Sequence, residues 1–242
     1  MDNQYTSITD YYDLWVTSGY YDYHNKALVA QSLVGEGCQI LELGVGTGLL
    51  AEKYIAIDPS CEFTGIDFTA SMLDVGRKKL GDKVQLIEAD VVTMKLGRTF
   101  DVAISNGGIW VMYDCDDHWE VGTLVPDIDA NFKAMRNVAQ HLQSGGLLLL
   151  NVQTPHDDFE KQLAPNIVYS QAVEPLEDTP TYYSIKKSYF FKNGEEILSQ
   201  DQHQITYFKQ NAYPELFEQA GFEFVKVSAK GEGDRFAVYR KR

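Results

Sequence analysis

The stretch Gln39-Ile40-Leu41-Glu42-Leu43-Gly44-Val45-Gly46-Thr47-Gly48 decides the fold of this chain. Residues 39–43 form a short, mainly apolar run, which is typical of a buried parallel strand. Three glycines follow at alternate positions and allow a sharp turn that brings the backbone close to a ligand. We expect residues 49–55 to form a helix whose free N-terminal amides attract polar or anionic groups. Together, the strand, glycine loop and helix predict a binding site for a nucleotide-type cofactor.

The glycine spacing and two later acids refine this prediction. The pattern from Glu42 to Gly48 is Glu-x-Gly-x-Gly-x-Gly, whereas the dinucleotide fingerprint is Gly-x-Gly-x-x-Gly. Asp67 ends the second predicted strand, residues 62–67, where a carboxylate can accept hydrogen bonds from ribose hydroxyls. Asp90 follows the third predicted strand, residues 84–88. An NAD-binding protein needs the first of these acids but not the second, which disfavours an NAD-dependent oxidoreductase.

In this order, the glycine motif and the two acids resemble the class I S-adenosylmethionine (SAM) methyltransferases. The resemblance implies a Rossmann-like α/β fold, with a seven-stranded sheet, helices on both faces and S-adenosylhomocysteine as product. It implies that Glu42 binds the methionine end of SAM, Asp67 the ribose and Asp90 the adenine amino group. The other expected cofactor contacts are Tyr12, Tyr23, Gly44, Gly46, Gly48, Phe68, Val91, Ser105 and Asn106.

The composition favours a small organic substrate. The chain has 21 basic and 35 acidic residues, and the resulting net charge of −14 repels the phosphate backbone of nucleic acids. Its fifteen tyrosines suit a pocket for a small organic molecule. No apolar run approaches the roughly 18 residues of a membrane span, and the N-terminus lacks signal-peptide features. Three cysteines without metal spacing favour a reducing compartment. We therefore expect a cytoplasmic monomer or homodimer with no nucleic-acid or membrane partner.

The remaining pattern predicts one methyltransferase domain, residues 1–242, with two additions. Residues 1–34 form an N-terminal helical lid, broken near Gly19 and expected to lie over the cofactor. Residues 153–210 form a small antiparallel β cap after strand five, with an Asn193-Gly194 hairpin turn. The other expected elements are helices at 71–80, 127–142 and 213–220, and strands at 100–105, 147–152, 166–173, 182–191, 196–208, 222–227 and 235–239.

A narrower resemblance concerns the substrate. Residues 201–208, the early stretch Tyr12-Asp13-Leu14 and Arg235 resemble bacterial small-molecule N-methyltransferases, including those that dimethylate nucleotide-linked amino sugars for antibiotics. This implies methylation of a nitrogen atom in specialised-metabolite biosynthesis. The segment 105–113 differs from the Ser-rich turn and nearby His of the amino-sugar enzymes, which favours a flatter heteroaromatic or amine acceptor. The expected substrate contacts are Tyr20, Trp110, Tyr113, Trp119, Tyr183 and Arg235.

Methyl transfer needs alignment of the acceptor more than a covalent nucleophile. Our candidates for catalytic groups are His118, as a base, and Tyr12. His118 follows Asp114, Asp116 and Asp117, a set that can bind Mg²⁺ or Zn²⁺ but is more typical of a solvated loop, so we predict no metal. A small-molecule O-methyltransferase and a non-catalytic SAM-binding protein remain as alternatives.

Overall fold

The computed structural model describes residues 5–228 and 234–242, where helices alternate with the strands of a mixed sheet. Residues 1–4 of the expected lid therefore lie outside the described residues. The helices are α1 (Thr9–Thr17), α2 (Tyr23–Val34), α3 (Leu49–Ile57), α4 (Ala70–Leu80), α5 (Ile128–Gln140) and α6 (Tyr213–Glu218). The strands are β1 (Gln39–Leu43), β2 (Glu62–Asp67), β3 (Gln85–Glu88), β4 (Phe100–Ser105), β5 (Trp110–Asp114), β6 (Trp119–Thr123), β7 (Leu142–Gln153), β8 (Phe159–Ala164), β9 (Ile167–Asp178), β10 (Tyr182–Asn193), β11 (Glu196–Phe208), β12 (Phe222–Val227) and β13 (Phe236–Lys241).

Seven of these strands form the predicted core sheet, in the order β3-β2-β1-β4-β7-β13-β12. The first five strands are parallel, and β13 pairs antiparallel with β7 from Leu147 to Asn151. The parallel strands are apolar on both faces because helices cover both sides of the sheet. Their carboxyl ends point to one edge, which is where open α/β sheets bind ligands. The predicted α/β fold class is confirmed.

The sheet continues beyond this core, to thirteen strands in the described residues. Val152 and Gln153 at the end of β7 pair in parallel with Met112 and Tyr113 of β5. From β5 the order runs β6-β11-β10-β9-β8, with antiparallel pairing throughout. The antiparallel strands expected as a β cap after strand five therefore extend the core sheet through β5 and β6. No helix in the described ranges is long and apolar enough to cross a membrane.

A β-hairpin follows β4, in a segment where the sequence predicted no strand. Its strands β5 and β6 pair from Trp110 and Thr123 to Asp114 and Trp119. Each strand has only five residues, and the acidic run between them favours a loop when the sequence is considered locally. The hairpin is stabilised by pairing with β7 and β11, which are distant in sequence, so local propensity does not reveal it.

Asn131 of α5 holds this hairpin against the core. Its side chain is fully buried, and Oδ1 accepts hydrogen bonds from Trp110 Nε1 at 2.9 Å and Thr123 Oγ1 at 2.8 Å. Nδ2 donates to the carbonyl oxygens of Val125 and Asp127, both at 2.8 Å. All four hydrogen-bonding positions of the amide are therefore used.

Replacing Asn131 by alanine is expected to lower the free energy of unfolding by about 2–4 kcal/mol, because the buried indole and hydroxyl donors lose their acceptor. Urea unfolding followed by circular dichroism measures the change. The exposed Asn211→Ala variant is the control and should change the free energy by less than about 1 kcal/mol. Equal effects of the two substitutions would contradict a structural role for the Asn131 amide.

Candidate functional site

Two connected cavities lie at the carboxyl edge of the core sheet. The larger, about 310 Å³, is lined by the glycine loop and by residues that follow β2, β3 and β4; we call it the nucleotide cavity. The smaller, about 40 Å³, is enclosed mainly by tyrosines of the N-terminal segment and by β5, β6 and β10; we call it the aromatic cavity. Tyr5, Tyr12 and the Gly107–Ile109 turn line both cavities, so the two spaces meet there.

The floor of the nucleotide cavity is the glycine loop, which is held by Asp67. Asp67 Oδ2 accepts a hydrogen bond from the Gly46 amide at 2.9 Å, and Oδ1 accepts one from the Thr69 amide at 2.8 Å. Gly44 has φ +74°, and a Cβ there would lie 2.9 Å from the Gly108 Cα. Burial raises the pKa of the Asp67 carboxyl, and the amide hydrogen bonds oppose that shift.

A small recess next to the nucleotide cavity contains two buried oxygen atoms without partners. Glu42, Tyr23 and Asn106 line this recess, which shares Tyr12 and Gly44 with the larger space. Among the described residues, neither Glu42 Oε2 nor Asn106 Oδ1 has a hydrogen-bond partner. Burial, and secondarily the nearby charge of Asp67, raises the pKa of Glu42 well above its usual range. The recess therefore suits a ligand group that carries N–H donors or positive charge.

The aromatic cavity contains an unusual basic pair, His156 and Lys187. His156 Nε2 lies 3.0 Å from the Tyr113 hydroxyl, and His156 Nδ1 lies 3.3 Å from Lys187 Nζ. Lys187 is 2% exposed, and no carboxylate of the described residues forms an ion pair with it. Its ammonium lies 5.1 Å from the centroid of the Tyr189 ring.

Desolvation sets the protonation of this pair. Burial lowers the pKa of Lys187 to about 7 from 10.5. The pKa of His156 falls well below its usual range, because the ring is desolvated and because the Lys187 ammonium is close. Near neutral pH the pair can therefore exchange a proton with a bound molecule.

The structure brings most of the predicted site residues to these spaces. The predicted residues that line the nucleotide cavity are Tyr12, Gly44, Gly46, Asp67, Phe68, Asp90 and Val91. The recess takes Tyr23, Glu42 and Asn106, and the aromatic cavity takes Tyr20 and Tyr113 together with Tyr12.

Three predicted residues lie in the structural core instead. Gly48 is the N-cap of α3 with φ +77°, and a Cβ there would meet Leu80 Cδ1 at 2.5 Å. Ser105 is fully buried, and its Oγ accepts a hydrogen bond from the Trp110 amide at 3.0 Å. Trp110 is itself fully buried. These three residues lie beneath the site and do not line either cavity.

Four others line neither cavity. His118 Nδ1 is 2.6 Å from Asp117 Oδ1 on the exposed hairpin turn. The Arg235 guanidinium pairs with Asp114 at 2.6 Å and lies over the Trp119 ring. The Tyr183 hydroxyl donates to Glu120 Oε2 at 2.6 Å. The base role of His118 and the substrate contacts of Trp119, Tyr183 and Arg235 therefore stay predictions.

Neither Lys187 nor His156 was among the residues predicted from the sequence. For Lys187, however, the pattern of β10 did indicate a buried position. Alternate residues of this strand, Ile185, Lys187, Tyr189 and Phe191, share one buried face. A lysine at an apolar position of an alternating strand is unusual and marks a functional candidate. His156 lies in the segment between β7 and β8, where no periodicity could place it.

Comparisons with known proteins agree with this geometry. A family model described as a methyltransferase domain matches residues 40–121, which include the glycine loop, Asp67 and Asp90. The demethylmenaquinone methyltransferase of Chlamydia pneumoniae is 25% identical over 215 residues, which cover 86% of this chain and 80% of that protein. The malonyl-[acyl-carrier protein] O-methyltransferase of Bacillus anthracis is 29% identical over 130 residues, or 51% of this chain and 42% of that protein.

Two solved structures share the fold along nearly the whole chain. The SAM-bound amino pentose methyltransferase CalS10 of Micromonospora echinaspora has a TM-score of 0.69, with 17% identity, and the match covers 96% of each chain. The CcbJ methyltransferase of Streptomyces caelestis has a TM-score of 0.71, with 19% identity, over 100% of this chain and 99% of that one. The matched domain and the methyltransferase relatives support a SAM-dependent methyltransferase enzyme, and the solved structures share its α/β fold.

Proposed function

We propose that this enzyme methylates a nitrogen atom of a small amine or heteroaromatic acceptor bound in the aromatic cavity, in the biosynthesis of a specialised metabolite. The observation that carries the proposal is the buried Lys187, which lies beside His156 without a carboxylate partner. Bound SAM supplies a methyl group on a positively charged sulfur, which an unprotonated nitrogen can attack. The protein must therefore hold the acceptor neutral, aligned and away from water.

The nucleotide cavity and its recess fit SAM. Glu42 Oε2 and Asn106 Oδ1 would accept hydrogen bonds from the ammonium group of the methionine part, which explains why both are buried without partners. Asp67 would accept from the ribose hydroxyls, and Asp90 would lie near the adenine amino group. Gly44 and Gly46 line this cavity, and Gly44 lets the loop lie against the turn after β4 because it has no side chain.

The N-terminal segment acts in this proposal as the lid. Tyr5 precedes α1, and Tyr12 belongs to it. Both tyrosines line both cavities, so they lie where the methyl group would pass from SAM to the acceptor. Trp15 and Tyr20 continue the wall of the aromatic cavity. Aromatic faces attract cationic groups and exclude water, both of which suit a reaction that starts from a sulfonium ion.

The basic pair sets the charge of the acceptor. Burial in the aromatic cavity disfavours an ammonium group there, so an amine would bind in its neutral form. When the nitrogen gains the methyl group it becomes cationic, and a proton can then leave it for the neutral Lys187 amine. The same pair could remove the proton of a phenol, so an O-methyltransferase remains the second candidate, and the panel of acceptors below separates the two.

Incubation with SAM labelled in its methyl group should transfer label to members of a panel of small amines and nitrogen heterocycles. Phenols of matched shape should receive label at rates at least about tenfold lower, since the proposed neutral nitrogen is the better nucleophile in this cavity. Mass spectrometry of the products locates the methyl group. Labelling of the phenols alone would overturn the proposal for nitrogen, and SAM binding without turnover of any acceptor would favour a non-catalytic binding protein.

Replacing Glu42 by glutamine is expected to weaken SAM binding roughly tenfold or more, since a hydrogen bond to a charged group contributes about 1.5–3 kcal/mol. Without ligand, the free energy of unfolding of the variant should nevertheless increase relative to that of the wild type as pH rises above 4.5. Because the folded pKa of Glu42 lies above that ordinary value, the wild type loses stability when the carboxyl is forced to ionise.

Isothermal titration with SAM and urea unfolding at about pH 5 and about pH 8 measure the two effects of the Glu42 change. Glu52→Gln, on the surface of α3, is the control and should alter neither. SAM binding that is unaffected by Glu42→Gln would remove this carboxylate from the cofactor site.

Replacing Lys187 by methionine should reduce turnover about 10²–10⁴-fold while SAM affinity stays unchanged. Wild-type turnover should rise as pH rises through about 7, because the amine becomes neutral there, and the variant should lose this rise. The control is Lys186→Met, whose side chain faces the other way and pairs with Glu174 at 2.8 Å. A wild-type pH profile in the Lys187 variant would exclude the amine as proton acceptor.

A further inference from the structure

Three different metal-binding side chains meet at the outer end of the β5–β6 hairpin. Cys115, His118 and Glu120 each offer one ligand atom, and these atoms all lie within 4.8 Å of one another. From the sequence, His118 was considered as a ligand only with Asp114, Asp116 and Asp117, and we predicted no metal. The hairpin changes that assessment because it brings a thiol to the imidazole.

The backbone of the turn fixes this grouping. The Cys115 amide donates to the His118 carbonyl oxygen at 3.1 Å, which closes the hairpin and sets the two residues opposite each other. Asp116 adopts φ +68° inside the turn, and the Asp117 amide donates to the Cys115 carbonyl oxygen at 2.9 Å. Glu120 lies two residues after His118 and therefore on the same face of the hairpin.

Surrounding groups orient two of the three ligands. Asp117 Oδ1 lies 2.6 Å from His118 Nδ1, which leaves Nε2 facing Glu120 Oε1 at 3.4 Å. The Glu120 side chain is 9% exposed, and its other oxygen accepts the Tyr183 hydroxyl at 2.6 Å. A carboxylate on the far nitrogen of a histidine and a hydrogen bond on a ligating carboxylate are the usual outer contacts of zinc ligands.

We propose that Cys115 Sγ, His118 Nε2 and Glu120 Oε1 form a zinc site with an open fourth position for water. A thiolate, an imidazole and one carboxylate match the ligand preference of Zn²⁺, whereas Mg²⁺ and Ca²⁺ prefer oxygen ligands alone. The neighbouring Asp114 is paired with Arg235 at 2.6 Å. The site is separate from the proposed methyl transfer and does not depend on it.

The position of the site gives it a consequence for the aromatic cavity. Glu120 is the direct cross-strand partner of Tyr113, and Gly122, the next residue on that face, also lines the cavity. A bound ion would therefore restrain Glu120, which is hydrogen-bonded to Tyr183 of β10. The cross-strand partner of Glu120 is Tyr113, which contacts His156. Zinc would stiffen the wall of the aromatic cavity without entering it.

The competing interpretation is a protonated His118 that bridges Asp117 and Glu120 without any ion. Both interpretations use the same imidazole contacts, but only zinc binding requires the thiol. Cys115 is therefore the residue that separates them.

The test is titration of tag-free, reduced and chelator-stripped full-length protein with Zn²⁺, in competition with a chelator of known affinity. The wild type should bind one equivalent with a dissociation constant of about 1 µM or lower, and Cys115→Ser and His118→Gln should each weaken binding at least about 100-fold. The controls are Cys61→Ser and His24→Gln, which change a thiol and an imidazole elsewhere and should bind as the wild type does.

Co²⁺ substitution provides a second readout. The wild type and the Cys61→Ser variant should show a sulfur-to-cobalt charge-transfer band in the near ultraviolet, and Cys115→Ser should lack it. Circular dichroism and SAM titration verify that each variant is folded. Absence of Zn²⁺ binding by the folded wild type, or binding that survives the Cys115 and His118 substitutions, would overturn the proposal whatever acceptor the enzyme methylates.

Discussion

The folding of the glycine loop onto the end of β2 is the constraint on which the rest of the site depends. The amides of Gly44 and Val45 both donate to the Ile66 carbonyl oxygen at 2.9 Å, and the Asp67 carboxylate takes the Gly46 amide. These bonds link the first two strands through their ends, so the loop cannot move without disturbing the sheet. The close contact between Gly44 and Gly108 then fixes the turn after β4, which is shared by both cavities.

One buried acidic group and one buried basic group lie in these connected cavities. Among the described residues, each lacks part of the hydrogen bonding or ion pairing that would stabilise its charged form. Glu42 has one unpartnered oxygen in the recess, and Lys187 has no carboxylate partner in the aromatic cavity. Each lowers the stability of the ligand-free protein, because burial disfavours its charged form. This cost is typical of a site in which ligands supply the missing partners. The core Asn131, by contrast, has every hydrogen-bonding position filled, as expected for a residue with a structural role.

The sequence predicted the parts of the molecule that local pattern encodes. The β1 run, the glycine spacing and the acids at Asp67 and Asp90 lie within single elements, and they indicated both the core sheet and the lining of the nucleotide cavity. The aromatic cavity could not be found this way, because α1, the β5–β6 hairpin and β10 meet there from distant parts of the chain. Residues with plausible chemistry, such as His118 and Arg235, were selected by type. The β5–β6 pairing puts His118 on a turn, and an ion pair holds Arg235 against Asp114, so neither lines a cavity.

The fork in β7 has a mechanical consequence. Its residues up to Asn151 pair with β13, and its last two, Val152 and Gln153, pair with β5. The core and the extension thus share this one strand, and two residue pairs carry the direct join between β7 and the hairpin. A space of about 40 Å³ holds only about three water molecules, so a larger acceptor must widen it. Because Asn131 and the core packing of Trp110 also fix this hairpin, widening the tyrosine-lined space would move the hairpin against the seven-stranded half.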